Sequence, residues 1–201
     1  MNGTDPRTSA ATDPVTIRPF RDRDAEVVGR LTIAAYDAYG RIEGEYRDFL
    51  ADPRRRVGGC TALLVAEVHG QLVGTVTFVL AGDPEWEGRP VPEGDAAFRV
   101  LAVAPGQEGR GIGRRLVSAC LDLARDHGCH RLVITSMAWM HRAHRLYEAF
   151  GFVRRPDLDV RFPGGDGVVF TLDLTAEAPN RFPAPGPTPT DLPWFEDAWA
   201  R

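Results

Sequence analysis

Three glycines two residues apart, Gly109, Gly111 and Gly113, are the residues whose type and spacing point most directly to chemistry. They follow an apolar run, Phe98 to Val103, and the dipeptide Ala104-Pro105. They lead into a segment with Leu116, Cys120 and Leu123 on one helical face and Arg114, Arg115 and Asp122 largely off it. A strand, a glycine turn and a helix together offer several backbone N–H groups to one phosphate. Glycine lets the backbone approach closely, and the helix start adds about half a positive charge. The pattern implies a ligand carrying a polyphosphate. A Walker A loop is excluded, because Arg114-Arg115 stand where Lys and Ser/Thr are required. A dinucleotide fingerprint is excluded because the third glycine comes one position too early.

The stretch Arg110-Gly111-Ile112-Gly113-Arg114-Arg115-Leu116, preceded by Leu101-Ala102-Val103-Ala104-Pro105, resembles the acetyl-CoA loop of the GCN5-related N-acetyltransferase (GNAT) family. A second segment, Ala143-His144-Arg145-Leu146-Tyr147-Glu148-Ala149-Phe150-Gly151-Phe152, is similar to the family's Ala-x-x-Leu-Tyr-x-x-x-Gly-Phe motif. The two stand in the family's order with one apolar strand between them, and the resemblance covers roughly residues 15–174. It implies an α/β fold of the α+β type, a mixed, mostly antiparallel sheet flanked by helices. It also implies acetyl transfer from acetyl-CoA, as co-substrate, to an acceptor amine within a ternary complex. The pantetheine arm would pair with the backbone of Leu101, Ala102 and Val103, where an N–H could also meet the oxyanion. The diphosphate would rest on Gly109, Arg110, Gly111, Ile112, Gly113 and Arg114. Tyr147 matches the family tyrosine that protonates the departing thiolate, and a phenol is a neutral donor at pH 7.

Three positions depart from that pattern. Ala97 stands where one branch of the family has a glutamate base. Strand alternation puts Asp95 on the same face as Ala97, so Asp95 is the candidate base acting through water, with Glu67 and Glu93 behind it. Glu108 occupies the position of an Arg or Gln and would repel a diphosphate unless it turns toward Arg110 or Arg114, or Gln107 takes its place. Met140 replaces an Asn, which puts one hydrogen bond to the pantetheine in doubt. Tyr36, Tyr39, Trp86 and Trp139 are candidates for the acceptor pocket. The acids Asp83, Glu85, Glu87, Glu93 and Asp95 would steer a cationic acceptor. His141 and His144 are helical neighbours, but no further ligands stand near them, so no metal is expected.

The elements that must position these groups follow from periodicity. Val15 to Pro19 reads as a strand, and a helix capped by Asp22 or Asp24 runs to about Ala38. Arg41 to Ala51 reads as a second helix. Thr61 to Glu67 and Leu72 to Leu80 form a hairpin about His69-Gly70. Residues 82–93 read as a loop, Arg131 to Ser136 as a strand, and Val153 to Val160 and Val168 to Leu174 as closing strands. Residues 1–13 read as a mobile tail, 14–175 as the catalytic domain and 176–201 as a second tail. That second tail has six prolines with Trp194, Phe195 and Trp199; it suits docking on the domain or on a second subunit, hence a homodimer.

The chain's 201 residues suffice for one domain. Its net charge of −4 provides no excess of cations for nucleic acid, and every one of its 24 basic residues is arginine. Cys60, Cys120 and Cys129 form no disulfide framework, and Met1 to Pro14 has no apolar run. Together these suggest a reduced, cytoplasmic protein without membrane contact. Two other classes remain open at this point: a non-catalytic acyl-CoA sensor, and an interaction module acting through the C-terminal tail.

Overall fold

The structure, a computed structural model, describes residues 14–40, 42–86, 92–162 and 165–175. Both tails, Arg41 and Glu87 lie outside the described residues, and so do the docking expected of Trp194, Phe195 and Trp199. An eight-stranded sheet runs in the order β1-β2-β3-β4-β5-β8-β6, with β7 paired to β8. Its strands are β1 (Val15–Pro19), β2 (Ala62–Val68), β3 (Gln71–Leu80), β4 (Asp95–Val103), β5 (Arg131–Met137), β6 (Val153–Arg154), β7 (Val160–Phe162) and β8 (Gly165–Asp173). All pairs are antiparallel except β4 with β5. The helices are α1 (Ala25–Asp37), α2 (Gly44–Ala51), α3 (Arg54–Val57), α4 (Ile112–Asp126) and α5 (His141–Glu148). This is the mixed, mostly antiparallel α/β sheet that the motifs implied. Among the described residues no helix is long and apolar enough to cross a membrane.

The sheet separates two cores. On one face α4 buries Ile112, Leu116, Val117, Cys120, Leu121 and Ala124, and α5 adds Tyr147, against Val76, Phe78, Ala96 and Phe98. On the other face α1 and α2 bury Val28, Leu31, Tyr36, Tyr46, Phe49 and Leu50 against Val65, Val100 and Ala102. The α1 residues recur at helical spacing, which is why one stripe faces the sheet. Helices α1 and α2 meet closely at Gly29, where an added Cβ would lie 1.9 Å from the Ala51 carbonyl oxygen.

Strand β4 changes faces partway along. Ala96 and Phe98 belong to the α4 core, whereas Val100 and Ala102 belong to the α1/α2 core. The cause is a bulge: the register with β3 slips between Thr75↔Ala102 and Thr77↔Arg99, and Val100 sits at φ 49°. A β-branched residue in the left-handed region costs on the order of 1–3 kcal/mol, and one inserted residue reverses side-chain parity. Just before this point β4 leaves β5. The parallel pairing covers only Asp95↔Arg131, Ala96↔Leu132 and Ala97↔Val133, while β5 stays paired to β8 from Arg131 to Met137. The two central strands thus open as a V.

Some local expectations are corrected. The strand expected over Val153–Val160 is broken after Arg154 by a 3₁₀ turn at Pro156–Leu158. Pro156 has no N–H to give a ladder, and its ring fixes φ. The loop expected over 82–93 contains a 3₁₀ turn at Pro84–Trp86. The second helix begins at Gly44, later than expected. Asp24 precedes α1 but makes no side-chain cap there. Its carboxylate instead accepts from the Arg21 N–H at 2.8 Å and from Arg18 at 2.7 and 3.1 Å. The hairpin turn is as expected, with His69 and Gly70 both at positive φ, 49° and 77°.

Candidate active site

The mouth of the V holds a cavity of about 530 Å³. Residues Phe98 to Val103 of β4 form one wall and Ile134 to Met137 of β5 the other. The glycine loop closes one end, α5 contributes Ala143, Leu146 and Tyr147, and Tyr36, Tyr39 and Tyr46 stand at the other end. Because β4 and β5 part beyond Ala97, the edge of β4 that faces this cavity is not taken up in pairing with β5.

The loop is built as the spacing required. Gly109 and Gly111 adopt φ 76° and 77°, left-handed values that bring the chain round to the start of α4 at Ile112. An added Cβ at either position meets no atom within 4 Å, so their open side is clear. The first-turn N–H groups of α4 have no intrahelical acceptors and are available to an anion. Gly113 lies within the helix, where an added Cβ would make only ordinary contacts, 3.4 Å from Leu146 and 3.7 Å from Val103. These features fit a diphosphate-bearing ligand.

Leu101, Ala102, Val103, Gly109, Gly111, Ile112, Gly113 and Arg114 all line the cavity. Arg110 does not; its guanidinium donates to Gln107 Oε1 at 2.5 Å. Arg114 lies over the Phe150 ring, 4.9 Å from its centre. Glu108 turns toward neither Arg110 nor Arg114. Its Oε2 accepts from the Gly106 N–H at 2.7 Å, and its Oε1 stands 3.9 Å from Arg142 on α5. The carboxylate therefore secures the turn before the loop. Met140 also lines the cavity, and its sulfur accepts from the Ser136 hydroxyl at 3.7 Å.

Tyr147 is 5% exposed, with its ring 5.8 Å from Phe98 and from Phe170 and 6.0 Å from Phe152. Burial among these rings pushes the proton affinity of its phenol above that of an ordinary tyrosine. It is neutral at pH 7 and faces the cavity as a donor.

The candidate base lies away from the cavity. Asp95 is 1% exposed and is absent from the cavity lining. Its Oδ2 accepts from Arg131 Nε at 3.1 Å and Nη2 at 2.8 Å, at the first rung of the β4–β5 pairing. Asp95 lies five residues before Val100, about 16 Å along an extended strand. Glu67 is held by Arg18 at 2.9 Å, and neither it nor Glu93 lines the cavity. The acidic stretch is also engaged. Asp83 accepts from Thr61 at 2.6 Å and from the Leu80 N–H at 2.9 Å, and Glu85 pairs with Arg99 at 3.1 Å. Tyr36 and Tyr39 line the cavity as expected; Trp139 instead packs on Tyr39, with ring centres 5.4 Å apart. Arg99, which lines the cavity, was not anticipated. The alternation that led to Asp95 reaches Arg99 when continued in the other direction. Among the described residues, no three His, Cys, Asp or Glu gather as a metal site.

Comparison with known proteins agrees with this geometry. A model of the acetyltransferase (GNAT) family matches residues 26–152. The chain is 26% identical over 127 residues to a glucosamine 6-phosphate N-acetyltransferase of Trypanosoma brucei brucei, covering 63% of this chain and 78% of that one. It spans 36–37% of the length of other curated N-acetyltransferases it matches. Among solved structures, a GNAT-family acetyltransferase from Staphylococcus aureus Mu50 aligns with TM-score 0.65 at 14% identity, over 81% of this chain and 100% of that one. One from Brucella melitensis in complex with acetyl-CoA aligns with TM-score 0.59 at 21% identity, over 88% and 98%. At such identities these likenesses speak for the fold alone. With the family model matching more than half of its length, the chain belongs to the GNAT family of acetyltransferases, enzymes of the acyltransferase class.

Proposed function

We propose that the protein transfers the acetyl group of acetyl-CoA to an amine by direct attack in a ternary complex. The observation that carries this reading is that one cavity joins the glycine loop, the splayed edge of β4 and the Tyr147 phenol. The first-turn amides of α4 and Arg114 would hold the diphosphate, and the open backbone of Leu101 to Val103 would take the pantetheine as an added strand. That fixes the thioester between β4 and Tyr147. The amine nitrogen bonds to the carbonyl carbon, a β4 N–H meets the oxyanion, and the C–S bond breaks. Tyr147 donates to the departing sulfur, and the proton lost by the amine balances the one the thiol gains. Arg110 stands aside at Gln107 and Asp95 is committed to Arg131, so neither has a part in this scheme.

The test is Tyr147→Phe. Loss of a donor used only as the thiolate forms should lower kcat at least tenfold, about 1.4 kcal/mol, with acetyl-CoA KM within about threefold. An unchanged kcat refutes the role given to the phenol. A sensor that only bound acyl-CoA would release no thiol from either protein.

A further inference from the structure

The end of α1 and the turn after it read Ala35-Tyr36-Asp37-Ala38-Tyr39. Residues three apart share a helical face, so Ala35 with Ala38, and Tyr36 with Tyr39, line the cavity together. Asp37 turns away to Arg47 at 2.9 Å. The Tyr39 N–H donates to the Tyr36 carbonyl at 2.9 Å, which fixes the turn that carries the ring. Tyr46 adds a third phenol from α2. The two alanines end at Cβ and leave space beside these rings. The phenols of Tyr36 and Tyr39 are near enough to that of Tyr147 to act on it through space, so the group stands beside the phenol assigned to the departing sulfur.

Tyr39 differs from the other two. Tyr36 and Tyr46 are buried, whereas Tyr39 is 42% exposed. The other large apolar side chains left exposed among the described residues, Val27, Val57 and Val153, line no part of the cavity. Trp139, on the turn between β5 and α5, packs on Tyr39 with the two rings tilted at 45°. The pair joins the α1 side of the cavity to the β5 side. Trp139 supports the Tyr39 ring there, and much of that ring is still open. An exposed aromatic face on a cavity marks a contact surface, and a flat ring set against it gains more than its buried area alone provides.

The charged groups nearby are already engaged. Arg99 donates to the Glu85 carbonyl at 2.6 Å and to its carboxylate at 3.1 Å, and it lies over the Phe49 ring. Among the described residues the one acid in the lining is Glu108, beside the glycine loop and bound to the Gly106 N–H. Asp83, Glu85 and Asp95, the acids expected to steer a cation, are held by Thr61, Arg99 and Arg131 and do not line the cavity.

Resting on the amine-acetylation reading, we infer that the acceptor carries an uncharged aromatic ring close to its amine, and that this ring stacks on Tyr39. This replaces the cationic acceptor suggested by the acidic loop.

The experiment measures thiol release from acetyl-CoA by the full-length chain with three aryl amines, benzylamine, 2-phenylethylamine and tryptamine. They are set against 2-cyclohexylethylamine, propylamine and 1,4-diaminobutane. The best aryl amine should have kcat/KM at least about tenfold above propylamine and 1,4-diaminobutane, and about threefold above 2-cyclohexylethylamine, which is as apolar but not flat. In Tyr39→Ala the ratio of that aryl amine to propylamine should fall at least about fivefold, and in Tyr39→Phe most of it should survive. A ratio taken within one protein does not depend on how much of the variant is folded. A smaller advantage over propylamine or 1,4-diaminobutane, a 2-cyclohexylethylamine that matches the best aryl amine, or a preference unchanged in Tyr39→Ala overturns the inference. Each of these leaves the transferase reading standing. Absence of thiol release with every amine, while calorimetry shows acetyl-CoA bound, defeats the transferase reading and the inference with it.

Discussion

Asp95→Asn separates a structural carboxylate from a catalytic one more sharply than any other single change in this protein. Asp95 and Arg131 are 1% and 2% exposed, face each other in register and are joined by contacts of 2.8 and 3.1 Å. Removing the charge from one side of a buried pair takes compensation from the other ion, at a cost of up to about 3–5 kcal/mol. The Asn oxygen can still accept from Arg131, so the loss belongs near the lower end of that range. For a domain of this size it amounts to a fall in Tm of roughly 6–20 °C. A general base acting at the amine would reveal itself otherwise, as a loss of about 10²–10⁴ in kcat and removal of the acid limb of the pH–rate profile.

The assays are a thermal melt and initial rates of thiol release at a temperature where the variant remains folded. A melt lowered by several degrees, with kcat within about threefold and a pH–rate profile of unaltered shape, is the expected outcome. Adding Arg131→Met to Asp95→Asn should recover at least half of the lost stability, because no unpaired charge is then buried. A variant that melts like the parent yet loses two orders of magnitude in kcat would refute this reasoning and return Asp95 to the chemistry.

Two smaller perturbations follow from the same coordinates. Glu108→Gln keeps an acceptor for the Gly106 N–H while deleting a charge beside the loop, so acetyl-CoA should bind about threefold more tightly by calorimetry, the equivalent of about 0.7 kcal/mol for unit charges ~6 Å apart in water; weaker binding would mean that the turn needs the charge toward Arg142. The Arg18 guanidinium holds the Asp24 carboxyl below its usual value of 3.8, so the pair adds stability above that pH and loses it as the carboxyl protonates in the folded state. Urea unfolding should accordingly show stability falling from about pH 5 to pH 3 more steeply in the parent than in Asp24→Asn, and equal slopes would contradict the assignment.

The parts of the site that could be read in the chain are those whose cause is local. A glycine turn before an amphipathic helix needs no knowledge of distant strands, and Gly109 and Gly111 take the φ values that made glycine necessary. Tyr147 was legible through the resemblance of its segment to the family motif, while the local pattern gave only a short helix with Ala143, Leu146 and Phe150 on one face and Gly151 as its stop. The bulge left no such mark. Its left-handed residue is Val100, a type that propensity assigns to regular strand, and only the packing of two cores on opposite faces of β4 holds it there. Arg56 was hidden differently, since Arg54-Arg55-Arg56 reads as a solvated basic run and its burial depends on how α1, α2 and β4 close around Phe49.

The bulge and the Asp95–Arg131 pair are two halves of one device. A parallel pair that stayed in register for its whole length would fill the gap between β4 and β5 with its own hydrogen bonds and leave no edge for a pantetheine. A pair with no register at all would leave the walls of the cavity without fixed separation. Here three rungs, closed at their base by a buried ion pair, fix where the strands begin, and the reversal at Val100 follows soon after they part at Ala97. The same reversal turns Arg99 and Val100, neighbours in sequence, toward the α1/α2 side together, one lining the acceptor end and the other in the core behind it. The base of the V therefore governs the separation of the cavity walls, Arg99 included, as well as stability. On that argument, damage at Asp95 that exceeded its stability cost should appear as a raised KM for the acceptor before it appeared in kcat.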